Sequence, residues 1–318
     1  MMDLNTLKQF MVVARLEHLS RAADELHIAQ PSLSRTIARL ESELGTPLFN
    51  RSGRLRLNDA GKLFRDHVER SLGELEAGRR AVAEAGNQGP GTVRLASETF
   101  LTLTGPLAAY KQAHPSIEIE LHWSLAEDMT RLLRAQDVDL CVASQPIHAE
   151  GLKSTPLFDE AVGVGTPLDH PLADRTSVSI DELADQPFVT AREGHWLRRL
   201  LDRLFAARDL TPKIVCEVDE LTAIAGLIGA GLGIGLVPSF ARHFAFARHS
   251  TTRAPLTWIA VDNPDCRRRV TLYWGADSHL PTAARLMRTT ITNWDWNTDG
   301  PQTQRPRTTP EPARQPQA

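Results

Sequence analysis

Over the first 60 residues apolar positions recur at the three- and four-residue intervals of helices with one buried face. Leu4, Leu7, Phe10 and Val13/Ala14 make one stripe. In LSRAADELHIAQPSLSRTIARLESELG (19–45) the period continues on both sides of Pro31, which does not belong inside a helix. Two helices resolve the conflict. The first is capped by Ser20 and turns Ala22, Ala23 and Leu26 inward. The second begins at Pro31, where a missing N–H costs nothing, and stops before Gly45, a residue suited to a left-handed helix end. PLFNRSGRLRLNDAG (47–61) then reads as a small β-hairpin turning at Ser52-Gly53. Asn58 or Asp59 caps a long helix to about Ala85, with Phe64, Val68, Leu72, Leu75 and Val82 at spacings of four, four, three and seven. That near-heptad stripe on a charged helix is the pattern of a helix that pairs with another.

GNQGPG (86–91) reads as a linker, and beyond it the period changes. Short β runs alternate with helical stretches: VRLAS, IEIELHW, VDLCVAS, VGVG, PFVT, KIVCEV, GIGLVP, LTWIAV and VTLYWG. This alternation predicts a parallel or mixed α/β sheet. The final NTDGPQTQRPRTTPEPARQPQA has almost no apolar residue and is expected to be a disordered tail. The expected organisation is residues 1–60, a helix-rich unit; 61–90, a pairing helix and hinge; 91–295, an α/β unit; and 296–318, the tail.

Composition narrows the functional classes. At 318 residues, with 42% hydrophobic and 24% charged residues, the chain has the make-up of a soluble globular protein with room for two or three cores. A net charge of −3 excludes a globally basic nucleic-acid coat but not a local basic surface. Lys is rare, and Arg, which supplies the rest of the positive charge, recognises phosphate, carboxylate or guanine through two parallel bonds. Cys141, Cys216 and Cys266 lie far apart without CxxC or paired His spacing, so no metal site or cofactor is indicated. The N-terminus is amphipathic rather than signal-like, and IAGLIGAGLGIGLV is too short and Gly-rich to span a bilayer, so a cytoplasmic protein with no membrane association is expected. His residues are scattered, and GxSxG, HExxH and paired carboxylates are missing, so the pattern does not predict an enzyme.

At 100° per residue the helix after Pro31 places Leu33, Ile37, Leu40 and Leu44 on one face. Pro31, Ser32, Arg35, Arg39 and Ser42 fall opposite, with Gln30 and Ser34 on the flank. A short helix, a tight turn and a second helix showing Arg, Ser and Gln outward form a helix-turn-helix signature for double-stranded DNA. Arg suits guanine, Gln suits adenine, and Ser suits phosphate, each good bidentate base contact discriminating by about 1–3 kcal/mol. Arg51, Arg54 and Arg56 would make the hairpin a basic wing for the flanking backbone or minor groove. A solvated surface helix shows the same face, and the three-Arg hairpin and the pairing helix are what favour DNA.

LKQFMVVARLEHLSRAADELHIAQPSLSRTIARLESELGTPLFNRSGRLRLNDAGKLF resembles the N-terminal domain of LysR-type transcriptional regulators almost position by position. The match runs through Ala22, Ala23, Leu26, Gln30, Pro31, Ser34, Ile37, Leu40, Glu41, Leu44, Gly45, Leu48, Phe49, Arg51, Leu57, Ala60 and Gly61. It departs at Leu19-Ser20, where Gly-Ser-Phe is common, and at LNDAG, where LTxAG is usual. The resemblance implies an α/β multidomain fold: a winged helix-turn-helix, a long dimerisation helix, and a two-lobed, periplasmic-binding-protein-like effector domain. The DHPLA (169–173) and GAGLGIGLVP (229–238) segments carry it weakly into that second half. It implies a transcriptional regulator on a dyad-symmetric promoter site, a homodimer assembling to a homotetramer, a small-molecule effector between the lobes, and room for contact with RNA polymerase.

Open α/β sheets take ligands at the carboxyl ends of strands, where helix N-termini offer free N–H groups. Ser97 and Thr99 end the first such strand, which suits a carboxylate. Ser144 and Gln145 end the VDLCVAS strand, Thr190 and Arg192 follow PFVT, and Thr222 opens the helix after CEVDE. Ser97, Thr99, Ser144, Thr190, Arg192 and Thr222 are therefore the expected effector residues, with Trp196 as a candidate wall. Each Ser or Thr is also an ordinary cap. Gly231, Gly233 and Gly235 follow a helix and precede a strand, the reverse of a dinucleotide-binding loop, and read as a tight turn. Cys141 or Cys216 gives the alternative of a redox-responsive regulator, although Cys141 sits mid-strand, where a buried inert thiol is the norm.

Overall fold

The computed structural model describes residues 2–51, 53–85, 91–149, 151–241, 256–275 and 280–296. The expected turn residue Ser52, linker residues 86–90 and tail residues 297–318 lie outside them.

Helix α1 (Leu4–Leu16) starts at Asp3, whose carboxylate accepts the Thr6 N–H at 2.7 Å. Helix α2 (Leu19–Glu25) is capped by His18, not by Ser20. His18 has the extended backbone of a cap and its Nδ1 accepts the Arg21 N–H, which leaves Ser20 inside the first turn. Helix α3 (Gln30–Leu44) begins one residue before Pro31, keeps the proline in its first turn, and ends at Gly45 with φ 70°. Leu33, Ile37 and Leu40 are buried, but Leu44 is 36% exposed, so three residues rather than four seat the helix. Leu4, likewise, stands 46% exposed outside the α1 stripe. Strands β1 (Phe49–Asn50) and β2 (Arg56–Leu57) pair antiparallel as the expected hairpin.

Phe10 is the centre of this first core, with its ring 5.8 Å from Phe49 and 5.1 Å from Phe64. Burying one such side chain stabilises by about 1.5–3 kcal/mol. Glu41 fastens the hairpin to α3: its Oε1 accepts the Leu48 and Phe49 N–H groups and its Oε2 pairs with Arg51. Helix α4 (Asp59–Ala85) is capped by Asn58, which accepts the Gly61 N–H at 2.8 Å. Phe64, Val68 and Leu72 pack on the first core, while Leu75 and Val82 are 59% and 74% exposed.

The second half is built on an eight-stranded mixed sheet. Strand β3 (Thr92–Ser97) lies between parallel neighbours β4 (Glu118–Trp123) and β5 (Leu140–Ala143). Helices α5 (Thr104–Ala113) and α6 (Ala126–Arg134) connect them. Strand β6 (Leu152–Pro167) is one 16-residue run, of which the sequence pattern shows only the VGVG end. Its start packs with the first lobe through Leu157 and Phe158, and its end with the second through Val162 and Val164. Strand β7 (Ser177–Val178) is short, and β8 (Pro187–Ala191) pairs parallel with β9 (Lys213–Val218). Helices α7 (Trp196–Ala206) and α8 (Leu221–Gly229) cover this second lobe. Strands β10 (Gly235–Pro238) and β11 (Leu256–Val261) run antiparallel to β6. Strand β12 (Arg267–Gly275) joins β5 to β6, and helix α9 (Thr282–Thr292) closes the first lobe. The chain is thus an N-terminal winged helix-turn-helix followed by a two-lobed α/β domain.

Gly61 packs so closely that an added Cβ would lie 2.1 Å from the Leu48 carbonyl oxygen. Gly61→Ala is expected to destabilise the N-terminal unit by about 1–3 kcal/mol, as overpacking does. In denaturant unfolding of the full chain its transition should shift while that of the α/β half stays; an unmoved N-terminal transition would refute this contact.

Candidate functional site

Two surfaces bring chemistry together. On α3, Gln30, Pro31, Ser32, Arg35 and Arg39 are exposed and Ser34 is half-buried. Ala29 stands at the N-cap without a side-chain bond, which leaves the positive end of the helix dipole open to an anion. The Arg35 side chain folds back so that its Nε donates to the Pro31 carbonyl at 3.2 Å. Arg39 lies within electrostatic reach of Asp3 and Glu43. In the hairpin Arg54 and Arg56 are exposed and have no ion pair among the described residues. Arg51 differs, because its guanidinium is held by Glu41 at 2.7 Å. That bond gives it a role in fixing the wing, which the spacing of arginines does not reveal.

The second surface is the cleft between the lobes. Its floor is a buried polar chain that sequence reasoning missed. Arg268 on β12 is 4% exposed; its Nε donates to Ser144 Oγ at 2.8 Å and its Nη1 to Glu160 Oε1 at 3.2 Å. Glu160 on β6 also accepts the Ser239 hydroxyl and the Phe240 N–H through Oε2. Glu98, 2% exposed, accepts the Ser144 N–H at 2.7 Å and the Gln145 amide at 3.2 Å. Burial pulls the Arg268 pKa down while Glu160 and Glu98 oppose that shift, and a guanidinium stays cationic in such a setting. Desolvation raises the Glu98 pKa above the usual carboxyl value, against the bonds from Ser144 and Gln145. The Arg268 guanidinium also stacks 4.8 Å over the Trp196 ring. The two lobes meet along one side of this floor, where Gln145 donates to the Gly194 carbonyl at 2.9 Å and the Trp123 and His195 rings lie 5.6 Å apart.

Above the floor is a cavity of about 70 Å³, lined by Thr99, Thr102, Trp196, Leu197, Thr222 and Arg268 together with aliphatic residues of α8 and β10. The structure therefore brings Thr99 and Thr222 to the cavity. Thr222 is the second residue of α8, following the cap Glu220, with which its hydroxyl bonds. Ser97 is buried beside Thr99 and donates to its carbonyl at 2.8 Å. Ser144 reaches the cavity only through Arg268. Thr190 is 1% exposed and outside the lining, and Arg192 faces solvent, 3.3 Å from Asp219. Neither lines this cavity: β8 is buried on both faces from Phe188 to Ala191, which encloses Thr190 within the lobe, and Arg192 sits past the strand end. Trp196 is a buried wall of the cleft rather than a surface residue. Strand alternation was the missed signal: Arg267 and Arg269 point outward to Asp159, so Arg268 between them must point in, alongside Val270 and Leu272.

Cys141 is fully buried in β5 and desolvation pushes its thiol well above the ordinary range, which leaves little thiolate to react. Cys216 lies in the other lobe, half-buried in β9.

Comparison with known proteins agrees with this geometry. Residues 4–62 match the family model described as bacterial regulatory helix-turn-helix protein, lysR family, and residues 86–295 match that of the LysR substrate binding domain. The chain is 32% identical over 291 residues to YybE, an uncharacterized HTH-type transcriptional regulator of Bacillus subtilis, covering 90% of this chain and 97% of the relative. It is 34% identical to the transcriptional dual regulator GltC of the same bacterium, covering 85% and 89%. A full-length OxyR from Pseudomonas aeruginosa shares the fold with a TM-score of 0.62 at 22% identity, covering 93% of this chain and 96% of that one. No helix among the described residues is long and apolar enough to cross a membrane.

The raised Glu98 pKa has a defined sign. Its protonated form is favoured in the folded chain, so its contribution is full below the unfolded pKa and is lost as pH rises through the folded one. Glu69 is raised in the same direction, so the test is a difference between two chains. Between about pH 4 and pH 7, Glu98→Gln is expected to gain stability relative to the wild type as pH rises, read from thermal unfolding of the full chain. Parallel curves for the two would contradict the assignment.

Proposed function

The chain belongs to the LysR family of bacterial helix-turn-helix transcriptional regulators, and from that premise we propose how its two halves work. The N-terminal half reads double-stranded DNA, with α3 in the major groove and the β1–β2 hairpin on the flanking backbone or minor groove. Gln30, Ser34, Arg35 and Arg39 face the bases, Pro31 and Ser32 bring the open helix end to a phosphate, and Arg54 and Arg56 grip the backbone. Arg51 serves the same interface mainly by holding the wing through Glu41. The observation that carries this reading is the exposed polar face of α3 set on buried Leu33, Ile37 and Leu40, next to two unpaired wing arginines.

Two chains pair through α4, whose Leu75 and Val82 stand exposed beyond the part that packs on the first core. Pairing would set two α3 helices about one turn, ~34 Å, apart on one face of a dyad-symmetric promoter site. Dimers then assemble to a tetramer in the cytoplasm. A small-molecule effector enters the cleft over Arg268 and alters how the dimers sit on DNA. The protein acts by binding and catalyses no reaction. Nothing in the setting of Cys141 or Cys216 favours the redox alternative.

One titration tests the DNA assignments. Arg35→Ala is expected to lose sequence discrimination of about 1–3 kcal/mol while dimerisation survives. Arg54→Ala should weaken binding to all duplexes alike and lower the salt slope by roughly one. An unchanged site preference for the first, or an unchanged slope for the second, would remove that residue from the interface.

A further inference from the structure

The cleft also carries information about what it binds. Most of the groups at its strand ends that suit an anion are already engaged from within. The Ser144 N–H and the Gln145 amide donate to the buried carboxylate of Glu98, and Ser97 and Thr99 bond to each other through Ser97 Oγ. Thr99 Oγ1 in turn accepts the Leu101 N–H at 3.3 Å. The one buried cation of the floor, Arg268, faces two carboxylates, Glu160 and Glu98. A charged carboxylate ligand would bring a further negative group into a desolvated site whose single cation is already matched by Glu160.

What the cavity leaves open is different chemistry. Trp196 and Thr102, 5% and 6% exposed, line the cavity, and the buried Trp196 Nε1 and Thr102 Oγ1 have no hydrogen-bond partner among the described residues. An indole N–H can only donate, and a hydroxyl can donate as well. The facing walls, Leu197, Ile224, Leu236 and Val237, are aliphatic. The space of about 70 Å³ suits a compact ligand.

We propose that the effector of this cleft is a small, uncharged, largely apolar molecule presenting a hydrogen-bond acceptor, of the carbonyl type, to Trp196 Nε1 and Thr102 Oγ1. This rests on the reading of the cleft as the effector site and replaces the carboxylate expected from the strand ends. The acceptor oxygen satisfies the two orphaned donors and the hydrocarbon part lies against α8 and β10, while the Arg268 network is left intact.

The test uses the full chain and probe pairs that differ in charge on one skeleton: acetone against acetate, and methyl isopropyl ketone against isobutyrate. Thermal unfolding at millimolar probe is expected to show stabilisation by the ketones and none by the carboxylates. Trp196→Phe and, independently, Thr102→Val should each weaken ketone binding about five- to tenfold. Stabilisation by the carboxylates alone, no shift with either ketone, or ketone binding that neither substitution weakens would overturn the proposal. Binding to a selected operator, measured with and without the ketone, separates the two claims. A ketone held by Trp196 that leaves DNA binding unchanged supports the ligand class and removes the effector reading.

Discussion

A single buried guanidinium organises the α/β half. Arg268 cannot be left unpaired in a protein interior: breaking a buried pair of this kind costs about 3–5 kcal/mol. Its partners come from different parts of the chain: Ser144 at the end of β5 in the first lobe, and Glu160 on β6 where that strand passes between lobes. Glu160 then reaches the residues after β10, and Glu98 reaches the residues after β5. Satisfying one charge thus fixes the ends of several strands relative to each other. It also fixes the Trp196 ring, and with it the wall of the cleft. The cavity is where it is because the floor beneath it cannot rearrange without exposing a charge.

The two halves of the chain meet closely between α4 and α6. Gly73 of α4 lies so near α6 that an added Cβ would be 2.5 Å from the Arg134 carbonyl oxygen. Beside it Glu69 is buried on α4, its pKa raised by desolvation and held back by Arg131, Arg65 and Arg134. Helix α6 belongs to the same lobe as Ser144 and Glu98, so under the proposed regulation a shift of that lobe against the other would be carried to the helix that bears the DNA-reading unit. This gives the proposed regulation a physical route through a packed helix pair rather than through a loose linker.

Much of the N-terminal half was legible in the sequence because helices with one buried face leave a 3.6-residue period. Leu33, Ile37 and Leu40 fell where that period put them, and Gly45 stopped the helix with the left-handed backbone expected of it. Leu44 failed because the period says which face a residue shares, not how far the neighbouring core extends. Ser20 failed because capping preferences are weak enough for His18, two residues earlier, to take the role. In the second half, strand positions were visible but the cleft floor was not. Glu98, Glu160 and Arg268 look like surface charges in a linear reading, and only pairing across 108 residues makes two of them a buried unit. The long β6 was hidden for a related reason: its first half, LKSTPLFDE, alternates with too many polar residues to resemble a core strand.

The most direct test of this account is a nuclease footprint of the full chain on a site selected from a randomised duplex pool. The wild type is compared with the double variant Arg268→Met, Glu160→Leu, the kind of apolar replacement of a buried ion pair that is often neutral or stabilising. The account predicts that both chains protect the same dyad core, since α3 and the wing are untouched, and that the flanking protection differs because the cleft floor sets how the halves are held. Identical footprints from a folded double variant would contradict the claim that the cleft governs how the protein sits on DNA.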